Sequence, residues 1–332
     1  MIEVRSLTKV FLGFTAIKDF SFDVSPGAVF GFIGPNGAGK TTTIRILATL
    51  LEPSGGSVKV DGIDVVDYPE KVRRIIGYMP DDFGVYEGIT VLEYLDFFSA
   101  AYGLTRRQRA RTVADVMALT DLTQHEKKLV ASLSKGMRQR LCLAKTLVHD
   151  PKVLILDEPA NGLDPRARIE LRVLLKELAA MGKTIVISSH ILTELSDVCT
   201  EVGIIERGEL LAAGKVADVE ARVREHEHAA PSGNGTSPGK NGTEERGTRC
   251  AMKFASLEGT EKAMALLAAR PDVAALQRRD ERAIGLRFLG PSTELHRLLG
   301  ALAKEEVPIT GLAEEEKDLE AIFMAVTKGK LQ

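Results

Sequence analysis

Gly34-Pro35-Asn36-Gly37-Ala38-Gly39-Lys40-Thr41 joins a run of small residues to one amine and one hydroxyl. The pattern is G-x-x-x-x-G-K-[ST], and its chemistry is phosphate binding. Backbone N–H groups can close around a phosphate only where no side chain intervenes, hence the glycines. An apolar strand expected at Val29–Ile33 runs into this turn, and a helix is expected to start at Lys40. The positive end of its dipole would face the same anion, with Thr41 and Thr42 in its first turn. Lys40 can reach β- and γ-phosphates, and the Thr41 hydroxyl can ligate Mg²⁺.

A second group of residues suits the other half of that chemistry. Val153-Leu154-Ile155-Leu156 reads as a buried strand, and it ends in Asp157-Glu158-Pro159. Asp157 suits Mg²⁺ ligation, usually through water, and Glu158 suits polarising an attacking water. Adjacent strand residues point to opposite faces, so the twist at the strand end must bring both carboxylates to one substrate. Alone, an apolar strand followed by Asp-Glu is a weak signal; downstream of the glycine-rich loop it is a strong one.

Between the two lies Leu133-Ser134-Lys135-Gly136-Met137-Arg138-Gln139-Arg140. Here the sequence resembles the ABC transporter ATPase family, whose signature is usually Leu-Ser-Gly-Gly-Gln followed by a basic helix. Ser134 and Gly136 match; Lys135 and Met137 depart. The resemblance implies that this loop caps the γ-phosphate held by an opposite domain. A Ser at a helix start is also an ordinary N-cap, and both readings stand at this point. The resemblance covers about residues 1–220. It places Phe11 where an aromatic stacks on adenine; the other reading of Phe11 is a core residue. It makes Asn161-Gly162-Leu163-Asp164 the turn after the catalytic carboxylate, and His190, closing Ile185-Val186-Ile187-Ser188-Ser189-His190, the switch histidine that contacts the γ-phosphate.

One departure bears on the metal. After Tyr78-Met79-Pro80, where the family has a glutamine that touches Mg²⁺ and water, this chain has Asp81 and then Asp82. A carboxylate is a natural Mg²⁺ ligand, so Asp81 is expected to take over that contact, the alternative being that it caps a turn.

Around these residues the first ~220 positions alternate between strand-like and helix-like runs, the pattern of a layered α/β domain. Short strands are expected at Ile2–Val4, Phe20–Val24 and Val58–Val60, then at Thr184–Ile187 and Val202–Ile205. Thr90 to Val148 reads as an inserted, mostly helical sub-block. On it, Arg106, Arg107, Arg109 and Arg111 read as a solvated face, and Cys142, among leucines, as buried packing.

Residues 223–248 change character. They are rich in Gly, Pro, Ser, Thr and charge, with almost nothing to bury, and read as a linker. Asn234-Gly235-Thr236 and Asn241-Gly242-Thr243 match the glycosylation pattern without any sign of secretion, and His226 and His228 read as solvated. In the stretch 249–332, Cys250, Met252 and Phe254 alternate, as do Ile284, Leu286 and Phe288. Leu295, Leu298, Leu299 and Leu302 keep helical spacing, as do Leu319, Ile322, Phe323 and Val326. The order strand, helix, strand, strand, helix, strand, helix resembles a small α+β, ferredoxin-like unit without catalytic residues.

Composition closes off other classes. With 44 basic and 46 acidic side chains the 332-residue chain carries a net charge of −2, which gives nucleic acid no field to follow. Three scattered cysteines suit a reducing compartment and form no zinc site. The N-terminus lacks the order of a signal peptide, and no window approaches the ~18 apolar residues of a membrane span. The guanine box Asn-Lys-x-Asp and the kinase motifs are missing.

These readings converge on a P-loop ABC ATPase domain (1–222) with a helical subdomain, a linker (223–248) and a small C-terminal domain (249–332). The expected cofactors are ATP and Mg²⁺. The expected partners are a second copy and a separate transmembrane permease, which places the chain at the cytoplasmic face of the membrane. The C-terminal unit resembles that of drug-export ATPases. The rival reading, a soluble ABC ATPase remodelling nucleic acid or ribosomes, calls for two ATPase copies per chain or a long coiled coil. Neither is visible here. A third reading, a regulatory module without turnover, is opposed by Glu158 and His190.

Overall fold

The structure, a computed structural model, describes residues 1–82, 84–191, 195, 198–219, 248–290 and 294–314. They fall into two compact units, whose described residues run from 1 to 219 and from 248 to 314. The expected linker, except Thr248, which begins a strand, and the helical run from Leu319 lie outside the described residues, as do His226, His228 and both glycosylation patterns.

The first unit begins with antiparallel strands β1 (Ile2–Phe11) and β2 (Phe14–Val24), joined through Leu12 and Gly13. Both turn residues have positive φ, 40° and 88°, the twist that a tight hairpin demands. Both strands run further than expected from the sequence. Register shifts between Val4 and Leu7 and between Leu7 and Lys9, with Ser6 at φ 47°, break the alternation that would have revealed them. β4 (Gly55–Val60) and β5 (Ile63–Asp64) complete a four-stranded sheet, β2-β1-β4-β5.

The second sheet of this unit has six strands. They are β3 (Val29–Ile33), β6 (Ile76–Met79), β7 (Val153–Leu156), β8 (Thr184–Ser189), β9 (Glu201–Glu206) and β10 (Glu209–Lys215), in the order β10-β9-β3-β8-β7-β6. Every pair but β9–β10 is parallel. Continuous apolar runs are what such strands need, because both faces are covered. Val29 and Ile33 join one core while Phe30 and Phe32 join the other; β7 divides likewise, Leu154 and Leu156 against Val153 and Ile155. Each such large buried side chain contributes about 1.5–3 kcal/mol relative to exposure. One core is closed by α3 (Val91–Ala101), α4 (Arg106–Leu119), α5 (Lys135–Leu147) and α6 (Pro165–Ala180). The other is closed by α1 (Lys40–Leu47), α2 (Pro69–Arg73) and the four-stranded sheet.

The helical sub-block has capped starts. Thr90 and Thr105 each form a reciprocal box with the third helical residue, Glu93 and Gln108, and losing such a cap costs about 1 kcal/mol. Arg106, Arg107 and Arg111 are exposed as expected, and Arg109 pairs with Asp96 at 2.8 Å. Cys142 is fully buried, and burial raises its thiol pKa above the ordinary value.

The second unit consists of β11 (Thr248–Phe254), α7 (Leu257–Ala268), β12 (Val273–Asp280), β13 (Ala283–Phe288), α8 (Leu295–Lys304) and β14 (Ile309–Glu314). Its sheet is antiparallel, in the order β12-β13-β11-β14. The alternating residues Cys250, Met252, Phe254, Ile284, Leu286 and Phe288 form its core with Leu295, Leu298 and Leu302. No described helix of either unit is long and apolar enough to cross a membrane.

Candidate nucleotide site

Parallel strands deliver their C-terminal ends to one edge of the sheet, where open α/β sheets bind ligands. In this chain that edge gathers the glycine-rich loop after β3, Asp81 after β6, Asp157 and Glu158 after β7, and Ser188 to His190 at the end of β8. Register fixes the neighbours: Met79 pairs with Leu156, Leu156 with Ile187, and Ile33 with Ser189.

The loop fits only glycine at two points. A Cβ on Gly34 would overlap the Ile205 carbonyl. Gly39, at φ 110°, caps α1, and a Cβ there would fall 2.9 Å from the Ala16 carbonyl oxygen. With Gly39 at the cap, no side chain accepts from the first turn and no acidic residue lies in it. The N–H groups of Lys40, Thr41 and Thr42 are therefore left for an anion. The Lys40 ammonium is buried inside the loop, donating to Gly34 O at 2.6 Å and Pro35 O at 3.3 Å.

A single hydrogen-bonded chain joins the remaining groups. Thr41 Oγ1 donates to Asp157 Oδ1 at 3.3 Å, and Ser188 Oγ donates to the same oxygen at 2.6 Å. Ser188 Oγ in turn accepts from the Glu158 N–H at 2.8 Å. The Glu158 carboxylate is held at both ends: Oε1 is 3.3 Å from Lys40 Nζ, and Oε2 is 2.8 Å from His190 Nδ1. Twist alone does not bring the two carboxylates together. Glu158 has φ 47°, and this left-handed backbone ends the strand alternation and turns its side chain toward Lys40. Ser188 was not singled out from the sequence; only its place at a strand end beside the histidine could have marked it.

Asp157 is 1% exposed, and its pKa is raised above the ordinary carboxylate value. Burial is the main cause, opposed by the bonds from Ser188 and Thr41 and reinforced by the negative charges of Asp81 and Glu158. Asp81 is exposed and accepts from Asn161 Nδ2 at 3.0 Å.

Other expected residues lie away from this cluster. Ser134 caps α5, its Oγ accepting from the Met137 N–H at 3.3 Å, and it is exposed. Lys135 Nζ lies against Gly162, and Leu163 Cδ2 lies 3.5 Å from where a Gly136 Cβ would be. Phe11 is 40% exposed at the hairpin end, with Lys9 Nζ 4.9 Å from its ring centroid. That exposure rules out the core reading of Phe11. The hairpin reaches the loop through Ala16, which abuts Gly39.

Known proteins resemble this chain in sequence and fold. The family model described as ABC transporter matches residues 17–161. The daunorubicin/doxorubicin resistance ATP-binding protein DrrA of Streptomyces peucetius is 31% identical over 329 residues, 98% of this chain and 92% of that protein. A structure of the ATP-binding subunit of an ABC transporter is 31% identical, with a TM-score of 0.62 over 70% of this chain and 95% of that one. A dimeric bacterial ABC transporter cassette is 25% identical, with a TM-score of 0.60 over 65% of this chain and 98% of the other. The chain spans 40% and 64% of the length of two further curated relatives, also ABC transporter ATP-binding proteins. Full-length similarity to one such protein and the cassette fold, with the glycine loop and Asp-Glu strand end inside the matched segment, place this chain in the family of ABC transporter ATP-binding proteins.

Proposed function

We propose that the chain hydrolyses ATP to drive export through a separate membrane-spanning subunit, at the cytoplasmic face of the membrane. The observation that carries this reading is the linked set Thr41, Asp157, Ser188, Glu158 and His190 beside a buried lysine. The drug-resistance name of a full-length relative supports export. Against the nucleic-acid alternative, no helix between the glycine-rich loop and α5 exceeds the 14 residues of α4 among those described.

The loop amides and Lys40 hold the β- and γ-phosphates, and Phe11 packs on the base. Glu158 Oε1 or Oε2 accepts a proton from the attacking water, and His190 fixes the carboxylate for that transfer. Ser134 of a second copy closes over the γ-phosphate, so two chains make two sites.

Mg²⁺ fits this edge. The Thr41 hydroxyl and the Asp157 and Asp81 carboxylates are hard oxygen donors, and the mutual charge of Asp81, Asp157 and Glu158 favours a cation among them. No three His, Cys, Asp or Glu side chains converge as a metal cage among the described residues. When bound, Mg²⁺ supplies charge neutralisation at the phosphate oxygens.

Glu158→Gln tests the reading. It should retain ATP binding, lose ~10²-fold or more in turnover, the scale of a general base, and accumulate as a closed dimer. Turnover equal to wild type would remove Glu158 from the mechanism.

A further inference from the structure

Asp81 stands on an exposed turn after β6, and Asn161 on an exposed turn after β7. Between them runs one hydrogen bond: Asn161 Nδ2 donates to Asp81 Oδ1 at 3.0 Å. Its turn is nonetheless tied to Asp157: the Asp157 N–H donates at 2.9 Å to the carbonyl of Met79, two residues before Asp81. An exposed aspartate is free to rotate about two side-chain bonds. A donor from a neighbouring turn removes that freedom and leaves the second carboxylate oxygen available to another ligand.

The turn that supplies the donor has other attachments. Gly162, next after Asn161, has the Lys135 amine against it. Leu163 lies within 3.5 Å of where a Gly136 side chain would begin. Residues 161–163 thus touch Asp81 through one residue and the start of α5 through the next two.

We propose that Asn161 is a positioning residue: its amide holds Asp81 beside Asp157, so the turn that packs on the Ser134 loop sets the affinity for a divalent cation. The inference rests on the reading of Asp81 as a metal ligand. It predicts that moving the turn changes the metal site without changing any ligand.

The test uses Mn²⁺ as the probe, with the full chain and a stoichiometric non-hydrolysable ATP analogue, read by loss of the free-ion EPR signal. Asn161→Ala should weaken Mn²⁺ binding about tenfold, the lower end for loss of a partner that orients a ligand. Asn161→Asp, which puts a like charge where the donor was, should weaken it further. Analogue affinity measured in EDTA should stay unchanged in both, because the loop amides and Lys40 are untouched. In an Asp81→Ala background, Asn161→Ala should have no further effect, the mark of action through Asp81.

Two results would overturn the inference alone: Mn²⁺ binding that Asp81→Ala weakens and Asn161→Ala does not, or an equal loss from Asn161→Ala in both backgrounds. Mn²⁺ binding unaffected by Asp81→Ala would remove the metal reading of Asp81, and this inference with it. Both side chains are exposed, so the fold does not depend on either.

Discussion

Two regions of the first unit that the proposed function sets against phosphate are built in opposite ways. At the ends of β3, β7 and β8, Lys40, Asp157 and Ser188 are buried and joined by hydrogen bonds into one network with Glu158. At the start of α5, Ser134 and Lys135 are exposed, and Ser134 does no more than cap its own helix. The first region is organised to act on a bound phosphate as it stands. The second carries the same kind of helix N-terminus, with the turn at Gly162 and Leu163 beside it and no buried charged group. The contrast fits the composite site we propose: one half completed within the chain, the other presented outward to a second copy.

The largest effect that could break this comparison is complementation. Ser134→Arg and Lys40→Ala should each abolish most ATPase activity on their own. Mixed, they should regain part of it, because one of the two composite sites in a mixed dimer carries both wild-type halves. If mixed dimers are shown to form and stay inactive while a dimer with one intact site is active, Ser134 serves its own chain and the contrast loses its meaning.

A smaller effect separates the first unit from the second. Among the described residues of the second unit, those buried are apolar apart from Thr260 and Arg287, and none of them resembles the strand-end network. A chain ended at Arg224 should bind Mg-ATP with affinity near wild type, measured with a fluorescent analogue, and should dimerise less well. Loss of binding in a folded protein would show that the second unit helps to build the site.

Much of the strand-end half was legible because its residues sit in short local patterns. The loop residues 34–41 and the pair Asp157-Glu158 need only a strand before them, and β3 and β7 are apolar runs that announce themselves. What escaped was set by backbone or by distant contacts. The positive φ of Glu158 leaves no trace in residue type, since it forces a side chain that normally avoids that region. The Asn161–Asp81 bond spans 80 positions and depends on β6 and β7 lying side by side. The lengths of β1 and β2 were hidden by bulges that interrupt alternation. Phe11 could be read two ways because adenine and a protein core ask the same thing of an aromatic ring. Only exposure separates them.

The smallest effect concerns the cost of keeping the strand-end network assembled. Burial raises the Asp157 pKa, so the folded chain holds its proton to higher pH than the unfolded chain, where the ordinary value is 3.8. Between those two values the folded state binds more protons, and stability must fall as pH rises. Above the raised value the full penalty of an ionised, buried carboxylate is present. Asp157→Asn keeps the shape and cannot ionise. Without nucleotide or metal it should therefore be more stable than wild type at neutral pH, with a higher Tm. The gain should shrink as pH falls toward 3.8. Mg-ATP should reverse the order, raising the wild-type Tm more than the variant's, because the charged carboxylate holds the ion more strongly than a neutral amide. Thermal melts of both proteins across pH, with and without Mg-ATP, read both effects. A difference that is flat with pH, or that favours wild type in the absence of ligand, would mean that the bonds from Thr41 and Ser188 outweigh burial. The network would then be a stabilising element of the fold, and the strand-end half of the site would cost the chain nothing to maintain.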